Sequence, residues 1–313
     1  MIDRAAISTA RQQLGTRPDF LRTTPLMRLP GRALGVDCAE VWLKLEQTQV
    51  GGSFKARGML YRLLANPVPD SGVIIASGGN AGIAVAAAAR ALGVRCEVFV
   101  PEVSPEAKRA RLRSLGAEVV VTGAAYAQAL EACVARQQAT GALQAHAYDQ
   151  PEVVAGAGTL ALEMQEQGGR LPDSVLVSVG GGGLIGGVAA WVQSHAHVVA
   201  LEPERAPTLH AARASGHPVD VEVGGLAADS LGARRIGSIC WDISQRHVHD
   251  ALLLPDDAIR AAQIWLWKEL KLAVEPAAAL GLAALQTGAY QPQPQETVAL
   301  ILCGANFDPA SLA

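Results

Sequence analysis

Lys55 stands in Gly51-Gly52-Ser53-Phe54-Lys55-Ala56-Arg57-Gly58, where an apolar helical periodicity begins. A lysine among apolar neighbours is costly to bury unless its charge is used or removed. With its pKa lowered it becomes a nucleophilic amine, suited to a Schiff base with an aldehyde cofactor. Three turns rich in glycine or small residues fall where strands are expected to end: Ser77-Gly78-Gly79-Asn80-Ala81-Gly82, Gly180-Gly181-Gly182-Gly183 and Cys303-Gly304-Ala305-Asn306. In open α/β sheets ligands bind at such ends. The first turn offers backbone N–H groups and the Ser77 and Asn80 side chains to a carboxylate at a helix N-terminus; read otherwise, it is a plain strand-to-helix turn. The second loses conformational entropy on folding, which a mere turn hardly justifies. Without Cβ atoms it can wrap a phosphate, with the following helix dipole assisting. No Gly-Lys-Ser/Thr follows it, and the Rossmann spacing is not cleanly met, so neither nucleotide fingerprint is present. Cys303 in the third turn is either a small core residue or part of a ligand wall.

Short β-rich runs alternate with Ala-rich amphipathic segments around these turns. Strands are predicted at 73–76, 96–100 and 118–121, with helices at 81–92, 105–115 and 126–139. This βαβαβα run implies a parallel sheet covered on both faces. Residues 141–150 lack periodicity and read as a crossing between two sheets. A second series follows: helix 151–166, strand 174–179, helix 184–193, strand 197–201, strand 251–254, helices 256–270 and 277–285, and strand 297–302. The fold class expected is α/β, with two three-layer αβα domains and mainly parallel sheets. The small substrate-binding domain is placed at 49–145 and the large domain at 1–48 with 146–313.

The bulk numbers narrow the function. The chain has 313 residues, 50% of them hydrophobic and 18% charged, with a formal net charge of -3. That is ample for two cores. No basic block supports nucleic-acid or anionic-membrane binding, and no apolar run is long enough to span a bilayer. The start lacks the order of a signal peptide, so a cytoplasmic location is expected. Five cysteines at long gaps give neither a disulfide framework nor a zinc site.

Together the pieces resemble the fold-type II pyridoxal-phosphate enzymes, the tryptophan synthase β family. Ser53-Phe54-Lys55, Ser77-Gly78-Gly79-Asn80-Ala81, the tetraglycine 180–183 and Cys303-Gly304-Ala305-Asn306 carry the match in order, and Arg22-Thr23-Thr24-Pro25-Leu26 and Val274-Glu275-Pro276-Ala277 fit beside them. Asn80-Ala81-Gly82, Ser178-Val179-Gly180 and the cysteine at 303 resemble the serine/threonine dehydratase branch. The resemblance implies that Lys55 holds pyridoxal 5'-phosphate as a Schiff base. It implies further that Gly180, Gly181, Gly182 and Gly183 bind the phosphate, Asn80 bonds the 3-hydroxyl oxygen, Phe54 packs near the ring, and Cys303 faces the pyridine nitrogen. Ser77, Gly78, Asn80 and Ala81 would hold the substrate carboxylate. A thiol is a weak donor, so the ring nitrogen stays largely neutral, which disfavours long-lived carbanions and tolerates elimination.

The expected activity is α,β-elimination of a 3-hydroxy-L-amino acid, such as serine or threonine, to a 2-oxo acid and ammonia, by a homodimer acting on a small amino acid. The alternatives are a racemase or a β-replacement synthase. Related serine racemases carry a serine where Gly78 stands, and glycine cannot carry a proton. Glu202, Ala206 and Thr208, with the Leu231 and Ala233 carbonyls, resemble the family's cation site, suited to K⁺ or Mg²⁺; read otherwise, Glu202 is a strand-end residue with local hydrogen bonds. Residues 145–148 depart from the Pro-Phe-Asp-like turn of relatives, and 224–228 are expected along the cofactor's other face. No appended amino-acid sensor is expected beyond Ala313.

Overall fold

The alternation of apolar runs and helical periods becomes two sheets in a computed structural model, which describes residues 2–312. The chain opens with α1 (Arg4–Leu14), capped by the Asp3 carboxylate, which accepts from the Ala6 N–H. Next come β1 (Leu26–Pro30) and β2 (Glu40–Lys44), an antiparallel pair, and then α2 (Lys55–Leu64). The run β3 (Val73–Ala76), α3 (Asn80–Leu92), β4 (Cys96–Val100), α4 (Glu106–Ser114), β5 (Glu118–Val121) and α5 (Tyr126–Thr140) follows, closed by the short β6 (Leu143–Gln144). These strands make a parallel four-stranded sheet in the order β5-β4-β3-β6. Residues 141–150 therefore do more than cross between sheets. Two of them pair with β3, a segment too short to show a period.

The second series begins with α6 (Pro151–Gly168), β7 (Ser174–Ser178), α7 (Gly183–Val192) and β8 (His197–Pro203). It continues with α8 (Thr208–Ser215), α9 (Ser238–His247), β9 (Asp250–Leu254), α10 (Asp256–Leu270), α11 (Pro276–Thr287) and β10 (Thr297–Ile301). The six-stranded sheet runs β1-β2-β10-β7-β8-β9, parallel except for β1. Every residue of β3, β4, β7 and β10 is buried, so both faces of each sheet are covered. The molecule is thus an α/β protein of two domains with mainly parallel sheets. Among the described residues no helix is long and apolar enough to cross a membrane.

The β1–β2 pair escapes a hydrophobic-pattern reading because β2 carries charge inside. Lys44 and Arg57 meet Glu46 and Glu163, all within 1% of full burial. Arg57 spans the two carboxylates, with Nη2 2.7 Å from Glu46 Oε1 and 2.9 Å from Glu163 Oε1. Lys44 Nζ lies 2.6 Å from Glu163 Oε1, and the Thr24 hydroxyl donates to Glu46 at 2.6 Å. Two cations face two anions, so each buried charge is paired. Burial acts to raise the Glu163 pKa, but the Arg57 and Lys44 cations reverse it and hold the carboxyl at about 2. The network ties the start of α2 to β2 and α6.

Candidate active site

The turns singled out above sit at the ends of β3, β7 and β10, and the fold brings them to one cavity. Phe54, Lys55, Asn80, Gly180 to Gly183 and Cys303 all line it. Ser77, Gly78 and Ala81 share the Asn80 turn but are not part of the wall.

Lys55 is placed by backbone ties between α2 and the β10 end. The Phe54 N–H donates to the Cys303 carbonyl at 3.0 Å, and the Ala305 N–H donates to the Gly52 carbonyl at 2.9 Å. Ser53 and Gly304 form an isolated antiparallel bridge. The half-buried Lys55 side chain points across to residues 145–149, where Nζ donates to the Ala147 carbonyl at 2.6 Å. That turn is itself held. The His146 imidazole Nδ1 accepts the Asp149 N–H at 2.9 Å, and the Asp149 carboxylate caps α9 through the Ser238 and Ile239 N–H groups, each at 3.0 Å. Burial pushes the Lys55 amine down to about 8, opposed by Cys303 and Glu275. A useful fraction is therefore a neutral nucleophile near neutral pH.

The tetraglycine turn leads from β7 into α7. A Cβ on Gly181 would stand 2.2 Å from the Tyr148 ring, and one on Gly182 (φ 91°) would stand 2.4 Å from Cys240 Sγ. The glycines are thus required by packing on their Cα side as well as by any ligand. On the other side the N–H groups of Gly180 to Gly183 and Leu184 have no protein acceptor among the described residues. Unpaired donors at a helix start are an anion site. Gly181→Ala is expected to lower stability to urea by about 1–3 kcal/mol through overpacking against Tyr148; an unchanged unfolding midpoint would show that the ring moves aside freely.

Cys303 is 3% exposed, and burial holds its thiol well above the ordinary range, so it stays protonated. Asn80 opens α3, with Nδ2 donating to both Glu275 oxygens at 3.0 Å and Oδ1 accepting from Asn306 Nδ2 at 2.6 Å. Glu275 is the residue that motif reasoning did not place in the site. Its signals were its place in Val274-Glu275-Pro276-Ala277, which fits the family pattern, and an acidic residue just ahead of Pro276 at a helix start. Ser230 also lines the cavity unexpectedly, and so do Tyr148, from the 145–148 turn, and Leu231, expected only through its carbonyl at a cation site. The segment 224–228, expected on the cofactor's other face, is not in the wall; the loop reaches it two residues later.

Glu202 makes the local bonds that were one of its two readings. Its carboxylate accepts from the Thr208 hydroxyl at 2.9 Å and from the Leu209 and His210 N–H groups at 2.8 and 2.7 Å, which caps α8. The Thr208 hydroxyl also lies 2.6 Å from the Gly180 carbonyl, so this cluster underlies the tetraglycine turn. Ala206 is fully buried, Leu231 lies on the cavity wall, and Ala233 lies two residues further along. Among the described residues no His, Cys, Asp and Glu side chains gather in a group of three or more fit to hold a metal.

These residues fit pyridoxal phosphate: free N–H donors for a phosphate, a half-buried amine for the aldehyde, and a protonated thiol beside them. A family model described as "Pyridoxal-phosphate dependent enzyme" matches residues 18–304. A phenylserine dehydratase of Ralstonia pickettii is 35% identical over 99% of this chain and 95% of its own. The solved structure of a T.th. threonine deaminase superposes with a TM-score of 0.89 at 34% identity, covering 98% of this chain and 99% of that one. Maize serine racemase superposes with a TM-score of 0.91 at 27% identity, covering 99% and 95%.

Proposed function

Because the chain belongs to the pyridoxal-phosphate-dependent enzyme family, we propose that it is a lyase that deaminates a neutral 3-hydroxy-L-amino acid to a 2-oxo acid and ammonia. One observation carries the reading: the Lys55 amine and the unpaired N–H groups of the tetraglycine turn line the same cavity. The full-length likeness to a phenylserine dehydratase and to a threonine deaminase supports elimination. Gly78 supports it over racemisation, since glycine has no side-chain hydroxyl of its own to carry a proton. Among the described residues no arginine lines the cavity. A substrate with a second carboxylate, such as hydroxyaspartate, would find no counter-charge there besides Lys55.

The chemistry supplied by bound pyridoxal phosphate is an amine-reactive aldehyde and a ring that draws electron density from the α-carbon. The rest falls to the chain. The N–H groups of Gly180 to Gly183 bind the phosphate at the α7 start. Lys55 Nζ would hold the cofactor through its aldehyde, and as a free amine it would serve as the general base for the α-proton. Ala147 offers that freed amine a carbonyl to dock on, at 2.6 Å in the present arrangement. The Asn80 amide orients the ring oxygen, and the α3 start, with Ser77, Gly78 and Ala81, binds the substrate carboxylate. Phe54 shields the amine from water, its ring centre 4.9 Å from Nζ. The Cys303 thiol keeps its proton and so leaves the ring nitrogen without a strong acid partner.

The same proposal includes a K⁺ or Mg²⁺ near Glu202, Ala206, Thr208, Leu231 and Ala233, below the tetraglycine turn. It takes 49–145 as the substrate-binding domain, which accords with β3 to β6 all lying in that span. It takes the enzyme as a homodimer in the cytoplasm, the reducing setting that five buried free cysteines favour. A panel of L-serine, L-threonine, phenylserine and hydroxyaspartate, scored by 2-oxo acid release with and without sulfide, tests the reading. Release is expected from the neutral substrates at least about tenfold faster than from hydroxyaspartate. A sulfide-dependent thiol product in place of 2-oxo acid would make the enzyme a β-replacement synthase.

A further inference from the structure

Among the described residues the cavity wall holds one carboxylate, Glu275, and the reaction as derived does not use it. Glu275 caps α11, and its N–H donates to the Gly304 carbonyl at 3.0 Å, so its backbone is tied to the turn that carries Cys303. The side chain turns inward and is 3% exposed. Its two oxygens are equidistant from Asn80 Nδ2 at 3.0 Å, while the far end of the Asn80 amide accepts from Asn306 Nδ2. An amide held at both ends cannot turn over without giving up buried hydrogen bonds. A carboxylate only accepts, so the nitrogen must face it. One Nδ2 hydrogen can serve both carboxylate oxygens, which leaves the other for a ring oxygen in the cavity.

We propose that Glu275 is the positioning residue of this site: it fixes the Asn80 amide with a donor toward the cavity, and among the described residues it is the one carboxylate that shares the cavity wall with the Lys55 amine. The proposal rests on the reading of the site as a pyridoxal-phosphate enzyme. The competing anion is Cys303, but its thiol is buried and keeps its proton. Burial pushes Glu275 up to about 7, while the Asn80 and Asn306 hydrogen bonds and the Lys55 charge act to lower it and Asp229 acts to raise it. These are the charged and polar groups that reach it from α2, α3, the β10 end and the 225–231 loop. Glu275 is thus largely ionised above pH 7, where the Lys55 amine begins to lose its proton.

The test uses the full chain freed of pyridoxal phosphate. Lys55 modification by an amine-reactive reagent is followed by mass spectrometry across pH, in the wild type and in Glu275→Gln. Glutamine keeps an acceptor for Asn80 and removes the charge. The modification midpoint is expected to fall by about one pH unit, because the anion favouring the ammonium is gone. Pyridoxal-phosphate affinity, read by fluorescence, is expected to stay within about threefold in Glu275→Gln and to drop at least about tenfold in Glu275→Leu, which leaves Asn80 held at one end only. A merely structural residue would lower stability without moving the midpoint, so an unmoved midpoint in folded Glu275→Gln overturns the proposal. Should that variant not fold, Glu275→Asp decides instead: a retained midpoint with weakened cofactor affinity supports the proposal, and a midpoint shift overturns it. If the wild type takes up no pyridoxal phosphate, the cofactor reading fails, while the modification midpoint still judges whether Glu275 acts on the Lys55 amine.

Discussion

The Lys55→Ala protein is expected to release 2-oxo acid from 3-hydroxy amino acids at least about 10³-fold more slowly than the wild type, the scale of losing both a covalent anchor and a general base. Among the described residues Lys55 is the only amine on the cavity wall. Its pKa of about 8 reflects burial, and no other lysine near the site has an unpaired donor in that wall: Lys108 is engaged with Asp229 on the surface. The substitution removes one hydrogen bond, to the Ala147 carbonyl, from a half-buried side chain. Folding should therefore survive, and thermal unfolding should stay close to wild type. Borohydride treatment of the wild type with pyridoxal phosphate should fix one adduct, on a peptide containing residue 55, and the variant should show none. Undiminished turnover, or an adduct fixed elsewhere, would remove the basis of the catalytic assignment.

The second large effect lies two residues along the same helix. Arg57→Leu is expected to cost about 3–5 kcal/mol in urea unfolding, since it leaves buried carboxylates without their main partner. Arg57 makes bonds to both Glu46 and Glu163, and Lys44 alone cannot balance two anions. The double variant Arg57→Leu/Glu163→Gln restores one cation to one anion and should recover part of the loss. Pyridoxal-phosphate uptake should weaken in the single variant, because the network anchors the helix that starts with Lys55. A loss under about 1 kcal/mol would mean that water reaches these charges and screens them as it does surface pairs.

The parts of the fold that could be read from sequence share a physical cause. β3 through α5 are short apolar runs and amphipathic helices with glycine stops at Gly93 and Gly141, and each of those residues takes a left-handed conformation at its helix end. β2 was not visible, because Lys44 is buried by an ion network assembled from residues as distant as Glu163, and local pattern does not record partners. α8 and α9 are short helices whose caps come from elsewhere, Glu202 and Asp149, so their starts carry no local signal. In the site, Lys55, Asn80 and the tetraglycine were legible as unusual residues at strand ends. Glu275 was not, since what makes it distinctive is an asparagine 195 positions away. The tetraglycine was legible for only half of its reason: Tyr148 and Cys240, which forbid side chains at Gly181 and Gly182, come from other segments.

The place of β10 has a consequence for biosynthesis. This strand is contributed by residues 297–301, yet it lies between β2 and β7, inside the six-stranded sheet. During vectorial translation the four-stranded sheet has all its strands once residue 144 has left the ribosome. The larger sheet must wait with an open slot, its β2 and β7 edges unpaired on that side, until residue 301 has emerged. Premature termination between residues 144 and 297 would then yield a nascent chain with one finished half and one aggregation-prone half, without the wall that bears Cys303.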